Sequence, residues 1–433
     1  MIVRMDPEQV GDWVLHELPR LNQAILQDHA PPRLLVTELR DHVLHQLPDV
    51  VQLTPVQAQR LIVHLGFAGA SVARHYQEGT PGGVEHPERA FEPLLVGANL
   101  PFRCYFSALA GHTGTGHYDR DSYASLVRWN VGTVRVRLRD EVVAELPGIF
   151  DDGHIRTYTG STAEQEFFRV VKQGEAIELA VNCMLESLTG AHTDLTGEYA
   201  HRRVRAATVL LDALRGLLVD FTNLPADRAM TAEMFMDVFR QFAAHWTPDD
   251  IPPSGALDPE ALKRDYLLGT AEPGYDQRVR RLFPAMLDRE RDEIRTLMGG
   301  PSLPQRLLSE IGNGHPALAG ADDGDLRRLI AHHPALVDWY RLLTMNARVS
   351  GVHLRLSKKL LFAPQRHRDE TGLGDRHPIS NRAGTTGLTE THLERLSRAR
   401  REHALAALKP VLAGDPAPAG PSADALVRLE TAG

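Results

Sequence analysis

The chain is short of cysteine, of unbroken apolar sequence and of basic excess. Two cysteines, Cys104 and Cys183, occur in 433 residues. Two thiols exclude a disulfide framework and are too few for a cysteine-built zinc or iron–sulfur centre. No apolar run approaches the roughly 20 residues a membrane-spanning helix needs, which sets membrane partners aside. The formal net charge is -8, where nucleic-acid binders ordinarily show a basic stripe. The opening residues MIVRMDPEQVGDWVLHEL carry Asp, Glu and His too early for the apolar region of a signal peptide. These absences lead us to expect a cytoplasmic globular protein. With 42% hydrophobic and 24% charged residues there is ample material for a core.

What is present is mainly helical periodicity. In 33–46, Leu34, Leu35, Leu39 and Val43 share one face. Thr54 and Pro55 read as N-cap and first helical residue of a helix over 55–76. Thr162, with Gln165 three residues on, reads as the capping box of a long helix. Further helices are expected from His201, from Thr231, from Pro334 and over 389–408. Phe235, Phe239 and Phe242 would form one stripe of the helix that begins at Thr231. One segment differs: Val134, Val136 and Leu138 alternate with Arg135, Arg137 and Arg139, which predicts a small β-hairpin. The fold expected is all-α: one large helical domain over 1–410, a β insertion at about 131–153, and a flexible Pro/Gly/Ala-rich tail over 411–433. Residues 363–388 show no periodicity and read as a long loop.

Among 21 histidines most have a plain reading. His112 and His117, in GHTGTGH, fit a surface loop better than any metal-binding spacing. His42 and His45 have no third ligand nearby in sequence, and His332 and His333 lead into a helix. His353 stands on the apolar edge of its helix, with Val349, Leu356 and Leu360 at neighbouring positions and Gly351 close by. A core histidine and an imidazole projecting into an apolar slot as a metal ligand both fit. Arg240 closes TAEMFMDVFR beside two phenylalanines, where a guanidinium fork suits a carboxylate. A surface ion pair with Asp237 is the plain alternative. Gly384, Thr385, Thr386 and Gly387 form a small-residue turn able to contact a polar ligand or simply to cap the next helix.

These elements follow one another in a known order. The chain resembles the haem-dependent dioxygenase superfamily. It is most similar to the monodechloroaminopyrrolnitrin synthase family, and more distantly to tryptophan 2,3-dioxygenase and indoleamine 2,3-dioxygenase. The resemblance covers most of residues 30–408. It is carried by ANLPFR (98–103), SLVRWN (125–130), RTYTGSTAE (156–164), TAEMFMDVFRQF (231–242) and PPSGALDPEALKRDYLLG (252–269). HLRL (353–356) and RAGTTGLTETHLERL (382–396) complete it.

The resemblance implies haem b with His353 as the axial iron ligand and Arg240 as the binder of a substrate carboxylate. It gives Thr385, with Gly384 and Thr386, to the amino-acid head group, Phe235 and Phe239 to the pocket wall, and Lys359 to the haem. The expected activity is an oxygenase acting with O2 or peroxide on an aromatic amino acid, tryptophan or a derivative, in specialised metabolism. The alternatives carried are a hydroxylase, peroxygenase or ring-rearranging enzyme, and a non-catalytic haem-binding protein. A homo-oligomer is compatible with the sequence. The chain departs from the family pattern at Thr386 in place of a glycine, at Lys359 in place of an arginine, and in a longer spacer after His353. Lys172, Gln173 and Glu175 occupy the helix where a distal histidine would be sought. The distal acid or base is therefore unassigned.

Overall fold

The structure is a computed structural model that describes residues 7–97, 99–115, 118–270, 272–312, 318, 320–373, 377, 379–412 and 426–432. Over these the chain is 64% helical and 6% strand, the expected large helical fold with a small β element. Among the described residues no helix is long and apolar enough to cross a membrane.

Local chemistry starts the helices as the sequence suggests, with small shifts. Helix α1 (Pro55–Gly79) opens with Thr54 and Gln57 in a reciprocal capping box, worth on the order of 1 kcal/mol. After the chain crosses to a hairpin, β1 (Val134–Leu138) and β2 (Glu141–Leu146), helix α2 runs Thr162–Glu186. Its N-cap is Ser161 rather than Thr162, because the Ser161 hydroxyl takes the Glu164 N–H. Helices α3 (Glu198–Thr222) and α4 (Pro259–Leu268) follow, then α5 (Ala335–Ser357), α6 (Glu390–Arg401) and the strand β3 (Val427–Thr431). Helix α3 lies between α2 and α5; α4 packs on α2, and α6 on α5.

Two expectations are corrected. The region 363–388 is not all loop, because Ala363–Glu370 continues as helix with Pro364 in its first turn. The sequence PQRHRDE carries no apolar stripe, so periodicity could not reveal it. The end of the chain is not a free tail either. Lys409–Leu412 is helical, and β3 pairs antiparallel with β1 to give the order β2-β1-β3. The strand returns so closely that a Cβ on Gly132 would collide with the Ala432 carbonyl. Residues 413–425 lie outside the described residues.

The interior falls into two large apolar clusters that α2 spans. One holds Phe67, Tyr158, Phe168, Phe242 and Trp246. The other packs Ile177 of α2, Leu211 of α3, Leu342 of α5 and Val134 and Val427 of the sheet. Lys172 of α2 is fully buried and donates to the Arg128 and Pro147 carbonyls, tying the hairpin's base to the helix. Burial pushes its amine down to about 7.

Candidate functional site

His353 lies one turn beyond the buried residues Val349 and Ser350 of α5, but is itself exposed. Burial, with Arg400 adding to it, lowers its pKa and keeps the imidazole neutral. Yet the residue carries accessible surface. An exposed side chain with protein dense enough around it to lower its pKa is what the wall of an open recess would give. Among the described residues neither ring nitrogen has a hydrogen-bond partner; the one bond at this residue is Ser357 Oγ to its carbonyl, 3.1 Å. Gly351 lies on the far side of the helix, where a Cβ would meet nothing within 4 Å, so it does not shape the recess.

The charged floor of the recess comes from three helices. Arg400 of α6 donates to Ser350 Oγ at 2.9 Å and, through Nε at 3.0 Å and Nη2 at 2.6 Å, to Asp265. Arg264 of α4 is paired with Glu178 of α2. Glu178, Arg264 and Arg400 are the charges that His353 senses.

On the turns after His353, Leu356 and Leu360 join a single apolar cluster with Phe167 and Val171 of α2 and with Phe235 and Phe239. The two phenylalanines keep part of their surface accessible. They sit on a π-helical segment, Met234–Phe239, that tightens into a 3-10 turn at Arg240–Ala243. The expected continuous α stripe is therefore broken. In the wide π turn Phe235 and Phe239 stay aligned, with ring centroids 6.1 Å apart. The tightening rotates Phe242 away into the first core, where it stacks on Tyr158 at 4.1 Å. π turns recur at functional sites. Arg74 secures this one by donating to the Asp237 carbonyl at 2.9 Å and to the Val238 carbonyl.

Arg240 is buried, not a surface partner of Asp237, which pairs with Arg368 at 2.7 Å. Its Nη2 donates to the Ser380 carbonyl at 2.7 Å and to the Ala383 carbonyl. Arg240 and the Gly384–Thr386 turn are thus brought together, through the backbone of the loop. Thr385 Oγ1 donates to the Pro253 carbonyl at 3.2 Å. Gly384 N–H bonds the Leu388 carbonyl at 2.8 Å, and Gly387 closes the turn at φ 78. The Thr386 hydroxyl is buried without a partner. Lys359 lies away from this group: it is exposed and its Nζ donates to the Thr222 carbonyl at the end of α3, 3.0 Å away.

The other histidines keep their plain readings. His45 bonds the Arg40 carbonyl at 3.2 Å and His112 the Leu53 carbonyl at 3.1 Å; His117 lies outside the described residues. Sequence reasoning missed the charges around His353, namely Glu178, Arg264 and Arg400. Each was embedded in an ordinary amphipathic pattern, and only tertiary packing sets them against His353. A surface hollow of about 660 Å³ lined by Phe91, Phe102, Arg103 and Asp119 lies elsewhere and contains none of these residues.

Fold and site together define a mostly helical protein whose α5 carries an exposed histidine that is kept neutral, makes no ring hydrogen bond among the described residues and senses the Glu178, Arg264 and Arg400 charges. No protein-family model matches the chain, and no curated protein matches it. The resemblance to the haem dioxygenases therefore rests on the motifs themselves.

Proposed function

We propose that the protein is a haem-dependent oxygenase acting on an aromatic amino acid, tryptophan or a derivative, with His353 as the axial ligand. One observation carries this reading. His353 is exposed, is held neutral by the protein around it, and makes no ring hydrogen bond among the described residues. A neutral imidazole with a free nitrogen is the form that binds iron. The apolar wall of Leu356, Leu360 and Phe167 suits a flat porphyrin edge. Lys359 is directed to the end of α3, and a role for it toward haem needs a different lysine rotamer.

Haem, when bound, supplies the activation of O2 or peroxide. The chain's residues do the rest. Phe235 and Phe239 orient an aromatic ring and exclude water. Arg240 takes a substrate carboxylate in exchange for one or both of its loop carbonyls, so carboxylate binding and the position of the Thr385 turn are coupled. Thr385 and Thr386 offer hydroxyls to the head group. The test is an absorption spectrum of the purified protein, as isolated, reduced with dithionite, and with CO. A Soret band that shifts on reduction and CO binding, and is missing from His353→Ala, is expected. A wild-type protein that binds no haem on reconstitution overturns the reading.

A further inference from the structure

The last strand leaves one edge of the sheet open. In the order β2-β1-β3, β3 is paired on its β1 side, and among the described residues no strand lies beyond it. Its ladder fixes which backbone groups are used. The Leu426 carbonyl accepts the Arg139 N–H at 2.6 Å, and the Ala432 N–H donates to the Thr133 carbonyl at 2.8 Å. In an antiparallel pair such bonds recur at every second residue. Leu426, Arg428, Glu430 and Ala432 therefore turn their backbone groups to β1. Val427, Leu429 and Thr431 turn theirs to the free edge.

The side chains alternate between the two faces of the sheet. Val427 and Leu429 pack into the second apolar cluster. Arg428 and Glu430 are exposed on the other face. Arg428 stands directly opposite Arg137 of β1, a like-charge pair that weakens the strand's hold. Among the described residues no carboxylate pairs with Arg428. Glu430 reaches Arg137 Nε only at 3.8 Å. The outer face of β3 thus carries a guanidinium and a carboxylate, one on each side of Leu429, with the guanidinium lacking a counter-ion.

We infer that β3 is a dimerisation strand: two copies of the chain pair edge to edge and antiparallel, about a two-fold axis at Leu429. The register is selected by charge and by backbone together. Centred on Arg428, the pairing sets Arg428 against the partner's Arg428. Centred on Glu430, it sets Glu430 against the partner's Glu430. Like charges directly opposite disfavour both. Centred on Leu429, the pairing spans all five residues of the strand and uses every free backbone group of Val427, Leu429 and Thr431. It places Arg428 opposite the partner's Glu430, and Glu430 opposite the partner's Arg428. Both pairs fall at the non-hydrogen-bonded positions, where facing Cα atoms come closest, about 4.5 Å apart. Arg428 gains the carboxylate that its own sheet does not give it. Charged residues on an edge strand ordinarily keep other chains away. That protection needs charges that repel a second copy, and the order Arg-Leu-Glu attracts one. A five-residue strand buries little surface beside what stable dimers bury, so the expected dissociation constant is on the order of 10–100 μM. None of these residues belongs to the proposed oxygenase site, so the dimer stands or falls apart from that reading.

Sedimentation velocity of the full chain over a rising concentration series should show reversible dimerisation. Arg428→Glu is the sharpest variant. It puts a carboxylate opposite Arg137, which favours the fold of the monomer, and sets like charges against the partner's Glu430. The dimer should weaken about tenfold or more, while the thermal stability of the monomer is unchanged or raised. Exchanging the charges, Arg428→Glu together with Glu430→Arg, restores opposite pairs across the axis and should restore the dimer. A wild-type chain that stays monomeric up to about 300 μM overturns the inference, being well above the expected constant. So does a dimer that Arg428→Glu leaves unchanged, which would lie at another surface. A dimer lost in Arg428→Glu and not regained in the exchanged variant overturns it as well.

Discussion

Two regions of the molecule keep a histidine neutral in different settings. In the first apolar cluster, His75 is 2% exposed, and its Nε2 meets Asn22 Oδ1 at 2.8 Å. His64 is equally enclosed, 5.1 Å from the Phe150 ring and 3.3 Å from Arg156 Nε. Burial, reinforced by Arg74 and Arg156 respectively, pushes both down to about 3. Around α5, the surrounding protein also keeps His353 neutral, but its side chain is exposed and its ring makes no hydrogen bond among the described residues. A protein interior packs to crystal-like density and satisfies most of its polar groups. His75 follows that rule, His64 follows it at Nε2 and leaves Nδ1 without a partner among the described residues, and His353 stands outside the packed interior.

The contrast is broken most directly by removing one histidine from each region. His353→Ala should abolish haem retention and leave the unfolding free energy of the haem-free protein nearly unchanged, since its ring makes no hydrogen bond among the described residues. His75→Ala should leave any haem retained and destabilise the fold by about 2–4 kcal/mol, through a cavity and an unsatisfied Asn22. Denaturant unfolding and a haem assay on both variants decide it. A large stability loss in haem-free His353→Ala would make it a core histidine.

Glycines carry a related contrast, between the packed core and the outer side of α5. A Cβ at Gly69, inside α1, collides with the Trp246 ring, whereas a Cβ at Gly351 in α5 meets nothing within 4 Å. Gly69→Ala should cost roughly 1–3 kcal/mol as overpacking outweighs the gain in helix propensity. Gly351→Ala should gain up to about 1 kcal/mol from propensity alone. Thermal denaturation of the two variants should therefore move in opposite directions, and a shift of the same sign would mean that the two regions are packed alike.

Much of the tightly packed region was legible in the sequence, and less of the recess. The Thr54 cap, the buried Leu35, Leu39 and Val43 stripe and the β1–β2 hairpin follow from local chemistry and periodicity. The π segment at Met234–Phe239 was not, because period 3.6 and a single wide turn share the same apolar residues, and Arg74 selects between them from another helix. The β3 strand follows a Pro/Gly/Ala-rich stretch, and its five residues are defined by pairing with β1, a contact between distant parts of the chain. At the site, the motif order pointed to His353, Arg240 and Thr385. Local sequence could not show that Arg240 would bond loop carbonyls or that Arg264 would pair with Glu178, because those are outcomes of how α2, α4 and the 380–388 loop meet.

Acid–base behaviour separates the regions again. Glu164 is fully buried near Tyr158, where it accepts the Thr159 N–H at 3.0 Å and hydroxyl at 3.1 Å. Burial outweighs those bonds and raises its pKa from 4.5 to about 7. The folded chain thus holds a proton there that the unfolded chain has lost, so this group's contribution to stability falls as pH rises from 4.5 to about 7. Glu164→Gln should flatten the stability–pH curve in that window. An unchanged slope would mean that the Thr159 bonds dominate and keep Glu164 ionised.

The smallest expected effect lies where the loop meets the recess. Thr385 Oγ1 reaches the Pro253 carbonyl at 3.2 Å, so the residue expected to contact a head group also fastens the loop to the segment leading to α4. A single neutral hydrogen bond contributes about 0.5–1.5 kcal/mol. If Thr385 serves only the loop, Thr385→Ala should cost about that much stability with and without ligand, and ligand affinity should not move. If it exchanges Pro253 for a substrate group, the loss should appear in affinity, about 1 kcal/mol or roughly fivefold, with haem content unchanged. Thr385→Ser retains the hydroxyl and should restore whichever of the two is lost. Measuring stability and L-tryptophan affinity on both variants separates the roles. A variant that loses neither would show that Arg240 and the Gly384–Leu388 bonds hold the loop without Thr385.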